Sequence, residues 1–320
     1  MTAQATVPVE VTTRAVASGR SKDRTIGSVI FLGALWCSLL FGILVLFALI
    51  VDTMIAGSGR FDSQLFTNYE QLIQPANARE LADIRGLDVK DLSWAFTGFK
   101  AGIFGSLWLM VLTALMAIPL GIAAAAYLEE FATSNTWYNR LIEINLQNLA
   151  AVPAIIYGLL ALGVMTLLGF EEGLLLGGAV ALALLILPVV IITTREALRA
   201  VPAEIRLGSL ALGATVWQTT WRQTLPSAVP GIATGTILGL SRAIGEAAPL
   251  IVVGLATVRF IPDSPTDSGI SLPQMIATLA QHSSEIVQSA ASAAIILLLV
   301  MILGMNAIAI IIRNKFQRTW

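Results

Sequence analysis

The chain has 320 residues, 56% of them hydrophobic and 12% charged, with a mean hydropathy of +0.81 and a formal net charge of -1. Soluble domains carry roughly 25% charged residues, so an ordinary soluble domain is excluded and an all-α polytopic membrane protein is indicated. The near-neutral balance leaves no bulk electrostatic case for a nucleic-acid partner.

Residues 1–27 are polar and lack a packing pattern. The first apolar run, 28–51, is too long for a signal-peptide core and follows a long polar segment, so it reads as a retained helix. It holds the single cysteine, Cys37, which excludes an intrachain disulfide. Five more runs, 101–127, 142–168, 174–194, 229–254 and 288–312, approach the ~20 residues that a bilayer requires, which predicts six transmembrane helices. The connection 52–100 is acidic, with Asp52, Asp62, Glu70, Glu80, Asp83, Asp88 and Asp91, and reads as a solvated surface. The single histidine, His282, lies in a polar segment without companions for a metal site.

Basic residues set the orientation. Arg14, Arg20, Lys22, Arg24, Arg140, Arg195, Arg199, Arg206, Arg222, Arg313, Lys315 and Arg318 fall on one side. The smaller set, Arg60, Arg79, Arg85, Lys90 and Arg259, with Lys100 at its edge, falls on the other. Both termini are therefore expected in the cytoplasm, with 52–100 and 255–287 outside.

The fifth run carries the main chemical signal. Gly231, Gly235, Gly239, Ala243 and Ala247 recur every four residues and form a ridge that admits a close helix neighbour. Arg242 and Glu246 stand four apart in this otherwise apolar segment, although a charge at a helix centre costs roughly 2.5–3.5 kcal/mol. Helical geometry places them near the ridge face, away from lipid. Gly245 and Pro249 keep the same spacing, and Pro249 cannot bond the Gly245 carbonyl, so a bend or break beside the charges is expected. Two readings stand: a salt bridge that joins helices, or a transport path in which the guanidinium fork meets an oxyanion. Glu246 suits phosphate, which keeps a proton near neutral pH that a carboxylate can accept, over sulfate, which does not.

The longest cytoplasmic connection, 195–228, contains "PAEIRLGSLALG", a short helix ending at Gly213. A second helical piece follows from Thr215 to about Gln223, and Leu225-Pro226 is expected to end it. The plainer reading is a surface loop with Trp217 and Trp221 as interfacial anchors.

From Gly213 to Leu225-Pro226, this loop resembles the "EAA" coupling loop of ABC importer permeases. "SLALGATVWQTTWRQTLPSAVPGIATGTILGLSRAIGEAAPL" is similar to the phosphate permeases of the Pst system. "AIGE" followed by "APL", "SLPQMIATLA" and the asparagine in "GMNAIAIIIRNKFQR" resemble the A-type subunit. The likeness covers about 101–312. The motif's Glu-Ala-Ala falls on Leu207, Gly208 and Ser209, so its acid is absent. Its apolar position falls on Gln223, and Ala247 stands where threonine is usual.

The resemblance implies a MetI-like permease core over 101–312 in a prokaryotic inner membrane. Arg242 and Glu246 would then lie in the substrate pathway. Leu207, Gly208, Ser209, Gly213, Leu225 and Pro226 would couple to the ATPase. Gly231, Gly235, Gly239, Gly245 and Pro249 would shape helix packing and the break. It also implies a homologous C-type permease, a cytoplasmic ATPase dimer holding ATP and Mg, and an external phosphate-binding protein. The chain lacks the G-x-x-x-x-G-K-[ST] loop, so it is expected neither to hydrolyse ATP nor to bind a cofactor itself. A permease for sulfate or molybdate is the alternative. A secondary transporter would show a repeated pair of interrupted spans, and an intramembrane enzyme would need a nucleophile and base or a metal cluster.

Overall fold

The computed structural model describes residues 26–61, 63–69, 86, 97–132, 136–255 and 260–316. The polar tail, save its last two residues, therefore lies outside the described residues. So do most of 52–100, including Asp62, Glu70, Glu80, Asp83, Asp88 and Asp91, and the basic residues Arg14, Arg20, Lys22, Arg24, Arg79, Arg85, Lys90, Arg259 and Arg318.

The described regular elements are helical, apart from one isolated antiparallel bridge between Leu174 and Ser268. Two units are distinguished, Met1–Asp52 and Thr53–Trp320. The described part of the first belongs to one helix, α1, Ile26–Ser58, whose last turns fall in the second unit. Val29, Phe31, Leu35, Trp36, Leu39, Phe41 and Leu44 leave α1 no polar face, as expected of a helix with lipid around it.

The second unit is built on α2, Lys100–Ala126, and α5, Leu175–Arg199. Leu109 and Ala117 of α2 pack with Leu175, Ala179, Leu182, Ile186 and Val190 of α5 in one apolar core. Pro119 and Pro188 are accommodated inside these helices. Between them come α3, Trp137–Ala150, and α4, Ala154–Leu167. The last described helices are α10, Leu272–Ala280, and α11, Glu285–Phe316.

Four helices are long and apolar enough to cross a membrane among the described residues, and five if one bent pair counts as a single span. That pair corrects the expected third span, 142–168. Helices α3 and α4 meet at 109°. Pro153 is extended at the start of α4, has no N–H to continue α3, and disfavours a helical residue before it. At 14 residues, α4 is roughly 21 Å long, shorter than a ~30 Å hydrocarbon core. The α3 sequence also carries Asn139, Arg140, Glu143, Gln147 and Asn148, unlike a lipid-spanning segment.

The expected organisation of 195–228 is corrected as well. Helix α5 continues to Arg199, α6 spans Ala203–Ala211, and α7 spans Val216–Thr219. From α7 the helical path runs through a π-helical turn, Thr220–Thr224, directly into α8, Leu225–Ile244. Leu225-Pro226 therefore does not end a helix. The wide turn closes with Leu225 N–H donating to Thr220 O. It relieves the crowding that Pro226 would impose on the Arg222 carbonyl.

Candidate functional site

Helix α8 lies along α5 through its small residues. A Cβ added at Gly231 would sit 2.6 Å from the Ala197 Cβ, and one at Gly235 would overlap Thr193 Oγ1 and Cβ. At Gly239 it would make ordinary contact, 3.6 Å from Val190 Cγ2. Ala243 continues the buried edge at 2% exposure. The helix then stops. Ile244 is its last residue, Gly245 caps it with φ -82°, and a short helix α9, Ala248–Val252, begins with Pro249 in its first turn. A proline fits there because the first-turn N–H groups have no intrahelical acceptor.

The break decides the geometry of the charges. Arg242 is in the last turn of α8 and exposed, and Glu246 lies beyond the helix end and is half-buried. No ion pair within 4.0 Å joins them, among the described residues. The one-turn reach assumed from their spacing requires a continuous helix, and this helix ends between them. Arg242 is also not on the buried ridge, although helical spacing placed its Cα near Gly235. Its long side chain leaves the packed edge that Ala243 fills. The α8 terminus, with its partial negative charge, is a favourable place for a cation.

Polar contacts tie the neighbouring helices to one another. The Tyr157 hydroxyl of α4 donates to Leu149 O at the end of α3 and pins the bend there. Ser241 Oγ is 2.7 Å from Ile237 O and 2.6 Å from Asn306 Oδ1, tying α8 to α11. Asn306 lies in the stretch that carries the likeness, but the sequence does not reveal this bond. An amide in an apolar run was the available signal.

The proposed coupling residues divide. Leu207, Gly208 and Gly213 are exposed at the tip of α6, and Ser209 is 2.9 Å from Thr219 across oxygen atoms. Gly213 has φ +85°. Its N–H donates to Leu210 O at 2.9 Å and Ala214 N–H to Ser209 O at 3.2 Å, a Schellman closure of α6. Leu225 instead packs with Ala126, Leu198, Val201, Ala228 and Ile232, so it supports the loop from within, while Pro226 is exposed. The apolar tip is wide: Leu207 is 65% exposed and Leu212 91%.

Behind this tip lies a charge cluster that the sequence did not reveal. Arg195, Arg199 and Arg206, read only as topology signals, all meet acids of 129–143. No group of three His, Cys, Asp or Glu suited to a metal occurs among the described residues.

Comparison with known proteins gives the same architecture. The family described as binding-protein-dependent transport system inner membrane component matches residues 117–318. A probable ABC transporter permease protein of Bacillus subtilis, YqgH, is 34% identical over 57% of this chain and 60% of its own length. A probable phosphate transport system permease protein PstA of Methanocaldococcus jannaschii is 33% identical over 63% of this chain and 72% of its own. The alignments span about half to three-fifths of several curated relatives. In structure, a bacterial ABC transporter involved in import of the polysaccharide alginate has a chain that aligns over 90% of this one and 96% of its own length. The TM-score there is 0.59 at 15% identity, a likeness of fold. The match over most of the chain, the helical core and the α6–α7 loop agree: this chain belongs to the family of binding-protein-dependent transport system inner membrane components, the membrane permeases of ABC importers.

Proposed function

We propose that the chain is the A-type permease subunit of an ATP-driven importer of inorganic phosphate. The observation that carries this reading is Arg242. It is an arginine at the broken end of an apolar helix, exposed and without an ion-pair partner among the described residues. An arginine in such a place suits a ligand with several anionic oxygens, because its planar fork can bind two at once. Glu246, separate but near in sequence, suits an anion that still carries a proton. The phosphate transport permeases among the relatives support the same substrate.

The pathway is completed by a homologous C-type permease, and an external phosphate-binding protein delivers the anion. A cytoplasmic ATPase dimer, which holds ATP and Mg, drives the cycle through the exposed tip of α6 around Leu207, Gly208, Ser209 and Gly213. Both termini are cytoplasmic, as the basic residues indicate.

Proteoliposomes with the complete transporter, ATP and binding protein test this. Labelled phosphate should accumulate and excess sulfate should compete poorly. Efficient sulfate import with no phosphate import refutes the substrate assignment. Cysteines placed at Ser63 and Ser268 should react with an impermeant thiol reagent from outside; labelling only after permeabilisation overturns the orientation.

A further inference from the structure

At the cytoplasmic end of α2 a π-helical turn, Tyr127–Phe131, places two consecutive acids, Glu129 and Glu130. They face different arginines. Glu129 meets Arg199 at 2.8 Å and Arg195 at 3.3 Å, both on α5, and Arg195 also reaches Glu143 of α3 at 3.2 Å. Glu130, with a side chain only 8% exposed, meets Arg206 of α6 at 2.9 Å.

Arg206 does more than pair. Its Nε and Nη2 both donate to Glu130, at 3.1 and 2.9 Å. Its Nη1 donates to Val201 O at 2.9 Å, and Nη2 also donates to Leu198 O at 2.7 Å. One planar guanidinium thus joins the end of α2, the end of α5 and α6. Apolar packing of Ala126, Leu198, Val201 and Leu225 already closes this region, and replacing a buried ion pair by apolar contact is often neutral or stabilising. What the fork adds is a fixed distance and angle between elements.

We propose that the Arg206–Glu130 link is the positioning device through which displacement of α6 is passed to α2 and α5. The two bonds and the two carbonyls make α6 and the helix ends move as one body. Without them, a push on the exposed tip is absorbed by the short segments on either side of α6, Ala200–Pro202 and Leu212–Thr215. A second, weaker tie, Ser209 to Thr219 at 2.9 Å, leads towards α8. The proposal rests on the reading that the tip of α6 docks on the ATPase.

The complete transporter in proteoliposomes, in a Cys37→Ser background, tests it in two measurements. Spin labels at exposed Glu204→Cys and Tyr127→Cys report the distance from α6 to the π turn. It should stay constant within about 2 Å between nucleotide-free and ATP-trapped states, the size of a packed shear. A change beyond about 4 Å with the link intact overturns rigid transmission, whatever the behaviour of any variant. Second, Glu130→Gln should lower phosphate uptake per ATP hydrolysed by roughly tenfold or more while ATPase activity stays within about twofold, with Glu130→Asp partly restoring the ratio. An unchanged ratio in Glu130→Gln, or equal loss of uptake and ATPase activity, reduces the link to a structural tie and refutes the proposal. A photo-crosslinker at Leu212 checks the underlying reading. If it never reaches the ATPase with Glu130 and Arg206 intact, the docking itself is wrong and the link falls with it.

Discussion

Two glycines on one ridge should respond oppositely to the same substitution. Gly235→Ala puts a methyl group against Thr193 Oγ1 and Cβ of α5. Thr193 cannot easily retreat, because it is β-branched and its Oγ1 donates to Val189 O at 2.8 Å. Overpacking of this kind costs about 1–3 kcal/mol, and alanine's better helix propensity returns at most about 1 kcal/mol. The overlap involves two atoms of a stiff side chain, so the cost belongs in the upper part of that range and the net loss is about 1–2 kcal/mol. Gly239→Ala meets Val190 Cγ2 at 3.6 Å and Ile186 Cβ at 3.8 Å, which are ordinary contacts. It keeps the propensity gain without a clash, and stability should be equal or higher. Thermal unfolding midpoints of the purified complexes in one detergent should fall in the order Gly239→Ala, unmodified, Gly235→Ala. Thr193→Gly should relieve Gly235→Ala, since it removes the opposing Cβ. Equal midpoints for the two alanine variants would refute the assigned α5–α8 contact.

Gly213 and Gly245 also separate by conformation. Gly213 has φ +85° in open space. Gly213→Val should cost about 1–2 kcal/mol from backbone strain alone and lower uptake per ATP, with Gly213→Asn milder; equal effects of the two would show that strain is not the cause. Gly245 has φ -82°, and beyond its chain neighbours an added Cβ would meet Arg242 O at 3.9 Å, so Gly245→Ala should leave uptake unchanged, and a large loss would mean the break needs glycine after all.

The legible parts of the sequence were those with short-range causes. The ridge of Gly231, Gly235 and Gly239 announces close approach whatever lies opposite, but it does not name Thr193 or Ala197 as the neighbours. Gly213 announces its own helix end because a left-handed residue closes a Schellman motif within a few positions. The 142–168 run was misread because its apolar content is continuous across Pro153, where the direction of the chain changes. Leu225-Pro226 was misread because proline usually ends a helix, whereas the π turn that accommodates it has no compositional mark. The Glu130–Arg206 contact joins residues 76 apart in sequence, and only the packing of α2, α5 and α6 brings them together.

The charged pair shows how one local event can reverse a spacing argument. In an uninterrupted helix Arg242 and Glu246 would lie a turn apart and support each other by a few tenths of a kcal/mol. With the helix ending at Ile244, that mutual support is removed. A double-substitution cycle measures the difference. If Arg242 merely neutralises Glu246, then Arg242→Gln with Glu246→Gln should recover the uptake that either single change loses. If Arg242 meets the anion, Arg242→Gln abolishes uptake, the second change does not rescue it, and the stability coupling between the sites stays below about 0.5 kcal/mol. Arg242→Lys keeps the charge but loses the fork, so partial uptake is expected, and Glu246→Gln should be milder. Expression and ATPase assembly must be matched, since an uncompensated membrane charge can itself impair folding. Near-normal uptake by the well-assembled double variant would end the anion reading, because no guanidinium would then be needed for transport.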